Sequence, residues 1–353
     1  MNSTSEHILT KNFLALRRSY FDQFVKPNLS IVQKKRPAIK KIYSIADKII
    51  HVLYYGSAVV GVLSLALSHT EIESDANPDL TIHAWDSASP DIDIIAPWDD
   101  PFFNKIQIES TENFFGVYVS GEESLNFYDP ETQTGYFWTY NVAELSDWVV
   151  GAPFRTIFHW FLSTEQIHLI HGAVIGEKEK TVLLTARSGS GKSTTSLSCL
   201  LSGMDYLADD YVAIKVGQES HVAYSLYNSV KITKDAVAYF PEFQQSIWNK
   251  NFSEKEKAII FLADIFPHQV KLRASLDAVF VPRITGGKTR VVPASKIEGM
   301  LAMAPTSLLQ LPMAETKKIS VCKSILAVTP CYFLELGPDV RSVPEVIKSF
   351  LQV

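Results

Sequence analysis

Three short groups of residues in this sequence could do chemistry together. The first is Ser188-Gly189-Ser190-Gly191-Lys192-Ser193-Thr194, the second is Asp209-Asp210, and the third is His171-Gly172. In the first group the two glycines free the backbone, so that successive N–H groups can turn toward phosphate oxygens. Lys192 supplies a mobile point charge for the β- and γ-phosphates, and Ser193 offers its hydroxyl to Mg²⁺. This is the G-x-x-x-x-G-K-[ST] pattern of a phosphate-binding loop, with Ala186 standing where the first glycine belongs. Alanine adds little volume, so the loop is expected to survive with a slightly altered entry. The plain alternative is a chance Ser/Gly-rich turn. In the second group, two adjacent carboxylates can divide two tasks: one holds Mg²⁺, directly or through water, and the other accepts a hydroxyl proton. A solvated acidic turn is its plain alternative.

The flanking elements favour the chemical reading. Thr181–Leu184 is an apolar, β-branched run suited to a buried strand, and Thr195–Ser202 reads as a helix ended by Gly203. Strand, glycine-rich turn, Lys-Ser and helix is the order that sets a helix N-terminus, with its unpaired N–H groups and positive dipole end, against a phosphate. Downstream, Leu207-Ala208 leads into the Asp pair, and Tyr211–Ile214 reads as a strand.

Taken in register, His171-Gly172, the glycine-rich loop and Tyr206-Leu207-Ala208-Asp209-Asp210-Tyr211-Val212 resemble the catalytic domain of HPr serine kinase/phosphorylase. They resemble still more the broader HPr-kinase-like proteins with a phosphoenolpyruvate-carboxykinase-type P-loop fold. The intervals from His171 to Lys192 and from Ser193 to Asp209 match that family's. The resemblance covers roughly residues 150–353. It implies ATP and Mg²⁺ as cofactors, with Ser188, Gly189, Ser190, Gly191, Lys192, Ser193 and Thr194 holding the triphosphate. It also implies Ser193 and Asp210 at the metal, Asp209 as the base, and His171 as a neighbour that tunes or orients Asp209; a core histidine is the plain alternative for His171. The family's Glu-x-Arg-Gly-Leu-Gly-type signature is absent. The corresponding stretch reads Tyr224–Thr233, which argues against HPr as substrate and against the phosphorylase half of the activity.

The rest of the chain bounds these expectations. Its 353 residues can bury a large core and suggest two domains. A net charge of −5 gives no reason to expect nucleic-acid binding. Cys199, Cys322 and Cys331 have no metal or redox spacing, and Met1–Thr10 is polar rather than leader-like, so a cytoplasmic protein is expected. The one long apolar run, Ile49–Ser68, reads as a strand to Tyr55 followed by a helix from Ser57 to about His69, capped by Ser57, rather than as a membrane span.

The expected organisation is a basic N-terminal helical segment (1–42), an α+β domain (43–145) and the P-loop domain (146–353). In the first, Phe13, Leu14, Leu16, Tyr20, Phe21 and Phe24 lie along one helical face. In the second, strands are expected at 79–85, 105–109, 114–120, 124–128 and 136–140, around an acidic loop holding Asp91, Asp93, Asp99 and Asp100. The aromatics of 142–165, Trp148 among them, suit buried helices. His168 and His171 share an H-x-x-H spacing with no third ligand after it. The resemblance implies Lys231 and Lys234 near the metal and phosphates; Asp235 is a candidate second metal ligand or an exposed helix-start residue, and Arg283, Lys288 and Arg290 are candidates for the transferring phosphoryl group or surface cations. Residues 250–257 read as a charged, solvated helix or lid. Residues 276–283 read as a strand ending at Pro282, and a glycine-turned hairpin returns through Val291-Val292. The whole describes an α/β P-loop kinase domain of HPr kinase/PEP-carboxykinase type behind an α+β N-terminal domain. Its acceptor would be a hydroxyl of a peptide, protein or small molecule, with serine or threonine favoured. Room is left for a homo-oligomer and for a regulatory nucleotide-binding module.

Overall fold

The computed structural model describes residues 13–16, 18–88, 114–119, 123–254, 256–309, 311 and 315–352. The strand expected at 105–109 and the acidic loop with Asp91, Asp93, Asp99 and Asp100 lie outside these residues. The architecture is mixed α/β with several sheets, in two compact units. One unit comprises Met1–Lys41, Ile50–Val62 and Pro78–Ser146; the other comprises Ile42–Ile49, Leu63–Asn77 and Asp147–Val353.

The first unit starts with strand β1 (Phe13–Ala15) and helix α1 (Arg18–Tyr20), which runs through a π-helical turn into α2 (Lys26–Lys35). Phe13 and Leu14, expected on a helix, instead pair with a strand. Strands β2 (Ile39–Ile45) and β3 (Lys48–Tyr55), whose residues 42–49 belong to the other unit, helix α3 (Ser57–Leu63) and strand β4 (Leu80–Asp86) follow. Strands β5 (Phe115–Val119), β6 (Ser124–Asp129) and β7 (Thr134–Thr139) complete the sheet. Its strand order is β1-β5-β6-β7-β4-β3-β2. Phe21, Val25, Leu29 and Val32 of the helical stretch bury themselves against Trp85, Phe127 and Trp138 of the sheet. Ser57 is the first helical residue rather than a cap, and the helix gives way to a 3-10 stretch at Leu65–Thr70. No helix among the described residues is long and apolar enough to cross a membrane.

The second unit carries the glycine-rich loop. It opens with α4 (Asp147–Val150) and α5 (Arg155–Thr164), then β8 (Ile167–His171), β9 (Ala173–Glu177) and β10 (Lys180–Leu184). Helix α6 (Lys192–Leu201) precedes β11 (Asp205–Ala208), β12 (Tyr211–Val216), β13 (His221–Tyr224), β14 (Ser229–Ile232) and α7 (Lys234–Val237). Then come β15 (Ala258–Phe261), β16 (Arg273–Leu276), β17 (Ala278–Ile284), β18 (Arg290–Pro293), α8 (Lys296–Leu309), α9 (Glu315–Val328), β19 (Cys331–Leu336) and α10 (Val343–Leu351).

A six-stranded sheet runs β11-β9-β10-β17-β19-β18, a four-stranded sheet runs β16-β13-β12-β8, and β14 pairs with β15. The larger sheet is covered on both faces. Val182 and Leu184 of β10 pack with Cys199 of α6 and Ile347 of α10. Leu183 packs on the other side with Met303 of α8 and Ile325 of α9. Because alternate side chains of a strand point to opposite faces, a strand buried on both sides reads as an unbroken apolar run, as Val182–Leu184 does.

The C-terminal strands depart from expectation. Strand β17 continues through Pro282 to Ile284. The Val279 amide donates to Pro330 O, so odd-numbered amides face β19; the Pro282 nitrogen faces the other side, where β10 stops pairing at Phe280 and no amide is needed. Strand β18 does not return as a hairpin partner of β17, because β19 lies between them. The described residues of 250–257, expected as a charged helix or lid, form turns and irregular backbone with no helix.

Candidate active site

Both strand ladders that meet at the site cross from one sheet to the other there. Strand β8 leaves the four-stranded sheet at His171 and continues after Gly172 as β9 of the six-stranded sheet. Its neighbour makes the same passage at Asp209-Asp210, from β11 to β12. Register places Tyr211 opposite His171, and the Gly172 amide donates to Asp210 O at 3.1 Å. A Cβ on Gly172 would lie 2.7 Å from Leu183 Cδ1 and 2.8 Å from Leu184 O, so the crossing requires glycine. Asp210 takes φ of 66°, and the Tyr211 amide closes around it onto Asp209 O at 2.9 Å. That three-residue turn is strained for a side-chain-bearing residue. It is also what sends the two neighbouring carboxylates into different surroundings.

The loop from β10 to α6 explains its own composition. Gly189 and Gly191 have φ of 79° and 97°, which only glycine adopts freely. Ala186 is not among the residues with positive φ, so alanine in place of the first glycine costs no backbone strain. The Lys192 ammonium donates to Ala186 O at 2.6 Å and to Arg187 O at 3.2 Å, so the lysine folds back over the loop it follows. Ser188 and Gly189 are exposed, Ser190, Gly191, Ser193 and Thr194 are half-buried, and Lys192 is buried. Burial pulls the Lys192 ammonium below the usual lysine range, against the opposing pull of Asp209 and Asp210.

The two carboxylates differ in kind. Asp209 is 2% exposed; among the described residues no cation pairs with it, and the Ser193 hydroxyl hydrogen-bonds to it. Burial first, then the charge of Asp210, pushes its pKa up; the Ser193 hydroxyl, Lys257 and Lys192 offset this only in part. Asp210 is 7% exposed and forms an ion pair, Lys231 Nζ to Asp210 Oδ2, at 2.7 Å. Burial would raise its pKa, but Lys231, Lys257 and His171 outweigh it and hold the carboxyl well below the usual range. His171, expected as a partner of Asp209, has Nε2 at 3.8 Å from Asp210 Oδ1 instead, and its ring meets the Tyr211 ring edge-on. Burial, followed by Lys192, pushes the imidazole pKa down to about 3, so it stands neutral.

The structure brings together His171, Lys192, Ser193, Asp209, Asp210 and Lys231. It does not bring in the other secondary candidates. Lys234 pairs with Glu254 at the surface, and Asp235 is exposed on α7. Arg283 and Arg290 both bind Glu335, and Lys288 is exposed. His168 lines a surface groove of about 350 Å³ that contains none of the residues above.

Three residues enter that sequence reasoning had placed elsewhere. Trp148, grouped with the core aromatics, presents its ring to Lys231 at 4.8 Å and to Lys257 at 5.4 Å. Lys257 ends the charged stretch whose composition predicts a solvated helix or lid. Asp147 is buried, which raises its pKa, and the two lysines counter this. No sequence spacing marks these three, because α4 supplies Asp147 and Trp148 and the β14–β15 pairing brings Lys257 in from a stretch more than a hundred residues away.

Magnesium fits the donor set in part. Ser193 and the Asp209 carboxylate, which no cation occupies, are oxygen ligands of the right hardness, whereas Asp210 is taken by Lys231. Among the described residues no group of three or more His, Cys, Asp or Glu side chains could hold a metal. An ion here would draw its remaining ligands from phosphates and water, the usual manner of Mg²⁺.

No family model matches the sequence, and no curated protein matches it. Among solved structures, the chain is similar to the HPr(Ser) kinase/phosphatase from Coxiella burnetii. The match covers 52% of this chain and 95% of that one, at 11% identity and a TM-score of 0.31. At that score the likeness carries no argument, and the functional reading rests on this chain's own residues.

Proposed function

We propose that the chain is an ATP-dependent phosphotransferase that moves the γ-phosphoryl group onto a hydroxyl, most naturally the serine or threonine of a peptide or protein. One observation carries this reading: Asp209 is buried beside the glycine-rich loop, with the Ser193 hydroxyl but no cation paired to it among the described residues, and its pKa is raised. A buried carboxylate without a paired cation is costly to stability, and a raised pKa suits it to take a proton near neutrality. A loop that only binds nucleotide has no use for such a group.

The roles follow from position. The amides of Gly189–Lys192 and the N-terminus of α6 would receive the phosphates, with Lys192 leaving its loop carbonyls to meet them. Ser193 would hold Mg²⁺, with Asp209 reaching it through water; when bound, the ion neutralises phosphate charge. The acceptor oxygen forms its bond to the γ-phosphorus as the bond to the β–γ bridging oxygen breaks. The hydroxyl proton passes to Asp209, and ADP leaves. Asp210, ionised and fixed by Lys231, stabilises positive charge nearby. His171, neutral and against Asp210, is a positioning residue.

The test is transfer from γ-labelled ATP with Mg²⁺ to a peptide fraction, a protein fraction and a small-metabolite fraction. Lys192→Ala and Asp209→Asn are compared with wild type. Label in one fraction, lost in Lys192→Ala and reduced by about 10³-fold or more in Asp209→Asn, is the expected result and identifies the acceptor class. Nucleotide bound through Lys192 with no label moved, and Asp209→Asn indistinguishable from wild type, would reduce the chain to a nucleotide-binding module.

A further inference from the structure

The phosphoryl group in flight spreads negative charge over three oxygens, and enzymes of this chemistry meet it with a cation beyond the loop lysine. The sequence offers several cations for that position, and the structure commits nearly all of them elsewhere. Lys231 is spent on Asp210, Arg283 and Arg290 on Glu335, and Lys234 on Glu254. Lys257 differs. Among the described residues no carboxylate lies within ion-pair distance of its ammonium, which rests over the Trp148 ring at 5.4 Å. An aromatic face holds an ammonium in place without neutralising it, so the charge stays available to an anion.

The position of Lys257 is built. Its carbonyl accepts from Asn249 Nδ2 at 2.8 Å, and Asn249 Oδ1 accepts from the Ile259 amide at 2.8 Å. The Trp248 amide donates to Ile259 O at 2.8 Å. Asn249 therefore clamps both sides of the turn at its base, and the Lys257 backbone also hydrogen-bonds to Asp147. It shares the Trp148 ring with Lys231, whose ammonium lies 2.7 Å from Asp210 Oδ2, so it stands beside the Asp pair without being spent on it.

We infer that Lys257, held over Trp148 and clamped by Asn249, is a catalytic residue whose ammonium binds the equatorial oxygens of the γ-phosphoryl group as it transfers. This rests on the phosphotransfer reading. It adds a residue that neither the glycine-rich loop nor the Asp pair supplies.

The experiment compares calorimetric affinities for MgADP and for MgADP with fluoroaluminate, the planar mimic of the transferring group, in wild type, Lys257→Met and Lys257→Arg. Unfolding midpoints confirm that each variant is folded. Wild type should bind the fluoroaluminate complex more tightly than MgADP. Lys257→Met should lose that gain by about 100-fold while keeping MgADP affinity, and Lys257→Arg should recover part of it. A folded Lys257→Met that keeps the full gain, or that loses MgADP and the mimic equally, overturns the role of Lys257 and leaves the phosphotransfer reading intact. A wild type that binds MgADP but gains nothing from fluoroaluminate overturns phosphotransfer itself. A wild type that binds no MgADP removes both.

Discussion

Two clusters of charge in the second unit look alike on paper and behave oppositely. At β19, Glu335 lies in register with Arg283 of β17 and Arg290 of β18. Its two oxygens take one guanidinium each, at 2.6 and 2.5 Å. Both arginine side chains are largely in solvent, 44% and 66% exposed. At the strand crossing, Asp209 and Asp210 are buried, share one lysine at contact distance, and leave Asp209 with none. The first cluster is complete. The second is incomplete in the way a site must be if substrate is to finish it. Sequence offered the arginines and the Asp pair alike as phosphate-handling groups, and what separates them is satisfaction, which depends on which strand lies between which.

The comparison can be broken at its most buried point. Lys231→Met removes the partner of Asp210 and leaves a charge about as buried as before. Breaking a buried pair from one side costs about 3 kcal/mol or more. The loss should be largest at high pH, where Asp210 cannot relieve itself by taking up a proton. Equilibrium denaturation of Lys231→Met at pH 5 and pH 8 checks both statements. A variant as stable as wild type at pH 8 would mean that Lys231 does not hold Asp210.

A second measurement sharpens the contrast between the two neighbouring aspartates. Asp209 has its folded pKa raised to about 6 from an unfolded value of 3.8, principally by burial. A carboxyl shifted in that direction stabilises the fold below its unfolded pKa and loses that contribution as pH rises through the folded one. Asp209→Asn keeps the shape and removes the charge. It should therefore raise stability at pH 8 by an amount on the order of 2 kcal/mol and have little effect at pH 4. Asp210→Asn should go the other way. Its folded pKa is depressed, so its contribution is present above the unfolded pKa and is lost only as pH falls toward the folded one. Paired melts of the two variants across that range would show lines of opposite slope. Parallel lines would mean that the two carboxylates are equivalent and that Asp209 is not the group poised for proton transfer. Under the proposed phosphotransfer the same Asp209→Asn variant should lose nearly all activity, so that the residue that weakens the fold would be the one the reaction needs.

How far the sequence could carry this depends on whether a feature is local. The loop was legible because strand, glycines, Lys192, Ser193 and helix are consecutive, and each has a reason to be where it is. The His171-Gly172 and Asp209-Asp210 steps were legible as spacings. Their partnership was not, because it is made by the ladder between β8 and β12, and it sets His171 against Asp210 rather than Asp209. Lys231 could be named as a candidate from its neighbourhood, but Lys257 could not. Only the pairing of β14 with β15, Lys231 opposite Ile259, brings the end of an apparently solvated stretch over Trp148. The expected hairpin after Gly286 failed for the same reason. A turn signal predicts that the chain reverses, and it cannot say that a strand from 40-odd residues later, Cys331–Leu336, will be inserted between the two arms.

The smallest effect is expected where the drawn geometry is best. Glu335 has two short, well-aligned arginine contacts and a pKa depressed by both, with Arg290 first. By the count of contacts it should matter more than Asp210. Glu335 is itself buried, but the arginine side chains stay 44% and 66% exposed, and a pair whose cations keep much of their hydration exchanges one set of good interactions for another. Glu335→Gln should leave the unfolding midpoint close to that of wild type, and whatever difference there is should shrink as salt is raised. Phosphoryl transfer should be unchanged as well, since Arg283 and Arg290 have no part in it. If Glu335→Gln instead slows transfer while the protein stays folded, then the arginines reach the site, and Glu335 serves to aim them. Uncommitted charge would then no longer distinguish the functional cluster from the structural one.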